Sequence, residues 1–162
     1  MRVGIGFDVH PLVEGKRLVL GGIEVPCGKG LHGHSDADVL LHAIIDALLG
    51  AAGLGDIGAH FGTADPRYKD ASSLLFLKAA WERISAKGFV VGNIDATIVA
   101  EAPELAPFRE RMRQTIAHSL EIPLERINVK ASSANGQGFV GRGEGIAAFA
   151  VASLDLKAED RR

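Results

Sequence analysis

The 162-residue chain has one cysteine, Cys27, which excludes a disulfide framework and a cysteine-ligated metal. Neither sign of charge is in strong excess: 18 Lys and Arg stand against 20 Asp and Glu, a formal net charge of −2. No general attraction therefore draws the chain to nucleic acid or to an anionic membrane, and any bound phosphate must be met by local donors, metals or helix ends. Long apolar runs are absent too. The longest uncharged one, 146–154, falls well short of the about 20 residues that span a bilayer. No signal-like segment opens the sequence at Met1-Arg2-Val3. The expected location is the cytoplasm, or a plastid-type organelle if a targeting segment has been removed. Neither an internal repeat nor a linker interrupts the pattern, so one domain over 1–157 is expected, with a charged tail at 158–162.

What is present reads as an ordinary globular chain, 47% hydrophobic and 23% charged. Segment 2–10 alternates, with Val3, Ile5, Phe7 and Val9 on one strand face, and Pro11 is expected to end it for want of an N–H. Gly21-Gly22 predicts a hairpin within 17–26. A loop over 28–34 leads to Ser35, a candidate N-cap for a helix carrying Val39, Leu40, Ile44, Ile45, Leu48 and Leu49, which stops near Gly50 or Gly53. The segment 53–70 reads as a long loop. Helices are predicted over 72–87 and 104–120, and strands over 89–100, 126–132 and 146–156. The order implies an α/β (α+β) fold, a two-layer sandwich. A mixed four-stranded sheet plus a short hairpin carries the helices on one face.

One constellation carries chemistry. Asp8 and His10 lie two apart on a predicted strand, so their side chains share a face, and Gly4 and Gly6 on that face leave room for something to approach. His42 falls on the aliphatic stripe of the first helix, where an imidazole needs a hydrogen-bonding or metal partner. Two imidazoles and a carboxylate make a common catalytic zinc set. A hydrogen-bonded core histidine remains the alternative until strand and helix are shown to meet. Asp38 and Asp46, four residues either side of His42, are candidates to orient its second nitrogen. His32, His34 and Ser35 sit at the expected helix N-terminus, which favours anions. Gly-x-Gly-x-x-Gly at 136–141 leads into a strand rather than opening a helix, which argues against a dinucleotide site, and Arg142 and Glu144 read as a solvated or oligomer-facing pair.

The motifs together go further. Gly-Phe-Asp-Val-His at 6–10, His-Ser-Asp-Ala-Asp at 34–38, and His42 followed by Asp-Ala-Leu-Leu-Gly at 46–50 form a first block. Gly-Leu-Gly-Asp-Ile-Gly at 53–58 and Gly-Phe-Val-Gly-Arg-Gly-Glu-Gly-Ile at 138–146 complete it. In that order and spacing the chain resembles the 2-C-methyl-D-erythritol 2,4-cyclodiphosphate synthase family over nearly its whole length. The resemblance implies a homotrimer with active sites between subunits and a small nucleotide-sugar-alcohol substrate. It implies a reaction in which a phosphate of the substrate attacks the β-phosphorus of its own cytidine diphosphate arm and releases CMP. It further implies zinc, or another divalent metal, at Asp8, His10 and His42, and a second cation such as magnesium or manganese bridging the substrate phosphates.

By the same resemblance His34 and Ser133 steady the transition state. Ser35, Asp56, Ile57, Gly58, Phe61, Asp65 and Ser73 take the erythritol part and its phosphate. Ala100, Pro103, Leu105, Ala106, Ala131, Ser132 and Asn135 fall on the nucleotide side. Phe139 and Arg142 fall near the trimer axis, where the family has a cavity linked with isoprenoid diphosphates. Three departures stand out: Gly62-Thr63-Ala64 replaces Pro-Asp-Thr, Glu104 replaces a lysine, and Asn135 replaces the glutamate that helps hold the second cation. Asn135 brings no charge, so second-metal affinity is expected to fall. The alternative that Thr63 and Asn135 favour is a catalytically weakened trimeric zinc- and nucleotide-binding homologue.

Overall fold

The computed structural model describes residues 1–62 and 65–157. Thr63, Ala64 and the tail 158–162 lie outside the described residues. The first strand, β1 (Arg2–Glu14), runs through Pro11 instead of ending there. Pro11 sits where the strand changes partner. It is the last residue paired with β7 (Gly145–Leu156), and from Leu12 onward β1 pairs with β4 (Lys29–Leu31). The missing N–H thus falls at a seam in the ladder, while the Pro11 carbonyl still accepts from His32 N at 3.0 Å. β4 itself lies within the predicted loop 28–34 and makes the sheet five-stranded rather than four-stranded. The order is β4-β1-β7-β5-β6, with β5 (Phe89–Val99) and β6 (Ile127–Ser132) parallel and every other pair antiparallel. The predicted hairpin forms from β2 (Leu18–Leu20) and β3 (Ile23–Val25). Gly21 and Gly22 both take positive φ, 61° and 76°, the turn that matches strand twist.

The central helix, α1 (Val39–Ala52), is capped by Asp38, not Ser35. Both are capping residue types, and tertiary structure decides between them. Asp38 is fully buried and accepts from Leu41 N (3.0 Å), Gly21 N (3.0 Å) and Gly22 N (2.7 Å), so one carboxylate caps the helix and pins the hairpin. Burial pushes its pKa up to about 6, against the pull of those three donors. The helix ends at Gly53 in the left-handed conformation.

The segment 53–70 is not an unbroken loop. It holds α2 (Ile57–His60), capped by Asp56, and a 3₁₀ turn at Pro66–Tyr68. α3 (Ser73–Ser85) follows an N-cap at Ser72. α4 (Arg109–Leu120) starts later than its predicted 104 because 106–108 form a separate 3₁₀ turn around Pro107. α5 (Gly138–Gly141) is a single turn inside the glycine-rich segment.

Helices α1, α3 and α4 cover one face of the sheet and bury Ile94, Ala96, Ile98, Ala148, Ala150 and Ala152. On β1 the covered face is the glycine face. A Cβ at Gly6 would lie 1.9 Å from the Ala43 carbonyl oxygen, and one at Gly4 would lie 2.1 Å from that of Ala47. The room left by these glycines is filled by α1 itself, whose Ala43, Ala47 and Ala51 form the matching small stripe. The alternate residues Val3, Ile5, Phe7 and Val9 therefore point away from the helices and stay exposed, beside Phe149 and Val151 on β7. Among the described residues no helix is long and apolar enough to cross a membrane.

Candidate metal centre and active-site cavities

Close packing of α1 on β1 brings His42 to Asp8 and His10. His42 Nδ1 lies 2.9 Å from Asp8 Oδ2, His10 Nε2 lies 3.0 Å from the same oxygen, and the two nitrogens are 3.3 Å apart. A tetrahedral zinc site with bonds of about 2.0–2.2 Å has ligand–ligand edges of roughly 3.3 Å, so the donor set fits the ion with little adjustment. The tautomer of His10 supports this. Its Nδ1 faces the His32 carbonyl at 2.9 Å, and a carbonyl only accepts, so Nδ1 carries the proton and Nε2 offers a lone pair. Burial of Asp8 disfavours its charge, yet the two imidazoles beside it, His10 and His42, win and hold its pKa down at about 2. Burial likewise disfavours charge on His10, and Asp8 outweighs it to raise that pKa.

The expected orienting residues of His42 are corrected by the geometry. Asp38 is committed to Gly21, Gly22 and Leu41, and Asp46 accepts from Ile57 N at 2.7 Å. Burial raises the Asp46 pKa, partly offset by that N–H. The groups at His42 Nε2 are instead Ser73 Oγ at 2.9 Å and Ser35 Oγ at 3.2 Å. Ser73 was placed on the substrate side by resemblance. The structure buries it completely behind His42, and it lines no part of the cavity. It is a helix N-terminal residue from a distant segment, and no spacing in the sequence signals the contact.

Asp8, His10 and His42 open into a cavity of about 360 Å³, lined also by His34, Ser35, Ile57, Gly58, Phe61, Gly62, Tyr68 and Phe76. Phe61 stacks on Phe76 at 5.0 Å between ring centroids, and Tyr68 meets both edge-on, giving one side of the cavity an aromatic wall. Tyr68 and Phe76 were not singled out in the sequence: Tyr68 falls in the expected long loop, and Phe76, at helical spacing, reads equally well as core. His34 donates from Nε2 to the Asp65 carbonyl at 3.4 Å. Asp56 caps α2 through Ala59 N, and the Asp65 carboxylate pairs with Arg67.

A second cavity, of about 290 Å³, lies at the ends of β5 and β6. It is lined by Ala100, Glu101, Pro103, Glu104, Leu105, Ala106, Ala131, Ser132 and Ser133. The two cavities share no residue. Asp8 pairs with Ala148, Ala148 with Ile98, and Ile98 with Ala131, so three strand spacings, roughly 14 Å, separate them across the sheet. Asn135 is not part of that lining but touches it: in a left-handed conformation (φ 50°), its Oδ1 accepts from Ser133 Oγ at 3.2 Å. Glu101 Oε2 accepts from Ala134 N and Gly136 N beside it. Phe139 is exposed, and Arg142 pairs with Glu144 at 2.8 Å on the surface. The Thr63 and Ala64 departures fall outside the described residues.

Residues 1–155 match the YgbB family. The 2-C-methyl-D-erythritol 2,4-cyclodiphosphate synthase of Alkaliphilus metalliredigens is 58% identical over 154 residues, 95% of this chain and 97% of the relative. That of Geobacter metallireducens is 56% identical over 157 residues, 97% of this chain and 100% of the relative. The chain belongs to the YgbB family of 2-C-methyl-D-erythritol 2,4-cyclodiphosphate synthases. Solved structures agree with the fold. The bifunctional IspDF of Campylobacter jejuni matches with a TM-score of 0.92 at 42% identity over 96% of this chain, which spans 42% of the bifunctional chain. A cyclodiphosphate synthase solved in a CDP-bound form matches with a TM-score of 0.87 at 34% identity, over 95% of this chain and 100% of that one. As a member of this synthase family the chain is an enzyme, and its Asp8-His10-His42 cluster is the candidate metal centre among the described residues.

Proposed function

We propose that the chain converts 4-diphosphocytidyl-2-C-methyl-D-erythritol 2-phosphate to 2-C-methyl-D-erythritol 2,4-cyclodiphosphate and CMP, as a cyclising phosphorus–oxygen lyase of the non-mevalonate route to isoprenoids. The observation that carries the reading is the convergence of Asp8, His10 and His42 at the mouth of a cavity walled by His34, Ser35 and three aromatic rings. An oxygen of the substrate's 2-phosphate forms the new bond to the β-phosphorus, and the bond to the bridging oxygen breaks, leaving with CMP. The nucleophile is already anionic, so the site needs no serine, cysteine or strong base. Asp8, His10 and His42 would hold a zinc ion, whose Lewis acidity would be available to polarise a phosphate oxygen.

The remaining work belongs to the chain itself. His34 and Ser35 present polar groups to the phosphate side, and the ring of His34 is held in place by the Asp65 carbonyl. Phe61, Tyr68 and Phe76 exclude water, whose attack would give an open-chain product instead of the ring. Asp56, Ile57 and Gly58 border the erythritol part. The second cavity takes the cytidine through Ala100 to Ala106 and Ala131 to Ser133, with Ser133 near the transferring phosphate. The separation of the two cavities and the exposed Val3, Ile5, Phe7, Phe149 and Val151 both support a homotrimer, in which one subunit's metal cavity meets a neighbour's nucleotide cavity. Phe139 and Arg142 then lie near its axis, and the assembly works in the cytoplasm.

Phosphorus NMR of the protein with zinc, magnesium and the diphosphocytidyl substrate is expected to show cyclic diphosphate and CMP appearing together. Substrate that binds but persists unchanged would replace this reading with that of a weakened binding homologue, the reading Asn135 favours. Asn135, which has no charge, would hold a second cation at the substrate phosphates only weakly. Asn135→Glu is expected to lower the magnesium concentration for half-maximal rate about tenfold, the effect of roughly 1.4 kcal/mol. Asn135→Asp adds the same charge and suits the left-handed backbone better. An unchanged magnesium requirement in both variants would remove residue 135 from the second-cation site.

A further inference from the structure

His42 is held from behind by a chain of hydrogen bonds whose direction is set by a residue that touches no metal ligand. Ser73 Oγ lies 2.9 Å from His42 Nε2 and makes a short hydrogen bond to Asp36 Oδ1. Asp36 is itself fixed: its Oδ2 accepts from Ser73 N at 2.9 Å, its Oδ1 from Asp38 N at 3.2 Å, and its own N–H donates to the Ala71 carbonyl at 3.0 Å. An ionised carboxylate only accepts, so the Ser73 hydroxyl must spend its one proton on Asp36. What Ser73 then offers His42 is a lone pair, and Nε2 has to carry the imidazole proton. Nδ1, which faces Asp8 and His10, is then the nitrogen able to give its lone pair to an ion. Ser73 is fully buried, so no water competes for either bond.

We propose that Asp36, acting through Ser73, is a positioning residue that fixes the tautomer and ring orientation of His42 and so strengthens metal binding. This rests on the metal reading of the Asp8-His10-His42 centre. The physical alternative is the reversed chain, in which Ser73 donates to Nε2 and the Nδ1 proton is spent on Asp8. In that state the imidazole has no lone pair for an ion. Asp36→Asn permits it, because an amide N–H₂ can donate to Ser73 Oγ and turn its proton toward His42. Ser35 Oγ, 3.2 Å from Nε2, is the weaker reserve acceptor.

The test uses the full chain, with zinc alone as the probe. Competition titration against a chromophoric chelator is expected to give about tenfold or greater loss of zinc affinity in both Asp36→Asn and Ser73→Ala, the scale of a partner behind a ligating histidine. Ser73→Thr, which keeps the hydroxyl, is expected to match the wild type. Because the two residues act in series, the double variant is expected to lose no more than the worse single one. Nitrogen–proton correlation spectra of the metal-free wild type are expected to show His42 carrying a proton on Nε2. That spectrum needs no variant to fold. A wild-type His42 with no proton on Nε2 overturns the proposal, as do additive losses or wild-type affinity in the two single variants. If the wild type itself fails to bind zinc, the metal reading of the centre falls as well. Binding by the wild type with unchanged variants removes only the relay.

Discussion

Gly6→Ala is expected to lower the stability of the fold by about 3 kcal/mol or more and to disperse the metal centre with it. The added Cβ would sit 1.9 Å from the carbonyl oxygen of Ala43, and backbone on both sides of the contact leaves no flexible side chain to yield. Restoring even a tight 3.0 Å separation requires α1 to move about 1 Å off the strand, against a face that buries Ala43, Ala47 and Ala51. The same movement carries His42 away from Asp8 and His10, so zinc affinity is expected to fall together with the urea midpoint. Gly50→Ala provides the opposite sign. Its Cβ meets nothing within 4 Å, its backbone is helical, and the substitution is expected to stabilise the chain by about 0.5–1 kcal/mol. A Gly6→Ala protein with wild-type urea midpoint and wild-type zinc affinity would mean that close helix–strand approach does not set the centre.

That dependence explains which parts of the molecule were legible in the sequence. Asp8 and His10 could be placed on one strand face by alternation, and His42 on a helix by the period of its neighbours. Their meeting could not be read from spacing, because it follows from Gly4 and Gly6 matching Ala43 and Ala47 across a gap of more than thirty positions. Alternation on β1 also gave no way to tell which face was covered. Glycines and metal ligands fill the inner face, while the apolar residues Val3, Ile5, Phe7 and Val9 lie outward. Ser35 and Asp38 were equally good caps by type, and the choice came from Gly21 and Gly22 on a separate hairpin. Pro11 was read as a strand end by a local rule that a change of strand partner overrides. The nucleotide-side residues were identified through motif resemblance alone. In the fold, Ala100, Glu101, Pro103 to Ala106 and Ala131 to Ser133 share one cavity because β5 and β6 run parallel and end together. Asp36 falls in the motif at 34–38 and Ser73 was named by resemblance, but their contact carried no signal, since a hydrogen-bond chain between a loop and the start of α3 has no period.

His42→Ala is expected to remove zinc binding and turnover while leaving the assembly intact. Structural zinc sites with four ligands bind with about 10–16 kcal/mol, so one ligand accounts for roughly 3–4 kcal/mol, or two to three powers of ten in affinity. The loss here is expected at the upper end, because the remaining pair, Asp8 and His10, leaves the ion two positions open to water. Turnover is expected to fall by at least about 10³, the several kcal/mol that Lewis-acid stabilisation of a phosphoryl group supplies. Folding is affected less. His42 lies at the solvent end of the α1 stripe, 9% exposed, and its removal leaves Ser73 still donating to Asp36. His118→Ala, on the exposed side of α4, separates loss of an imidazole in general from loss of this one and is expected to change nothing. Metal analysis after gel filtration, with light scattering on the same sample, checks both halves at once. Zinc retained at wild-type stoichiometry would overturn the assignment of His42 as a ligand. Zinc lost together with the assembly would instead show that the ion holds the subunits in register, a structural duty that a centre placed only for catalysis does not have.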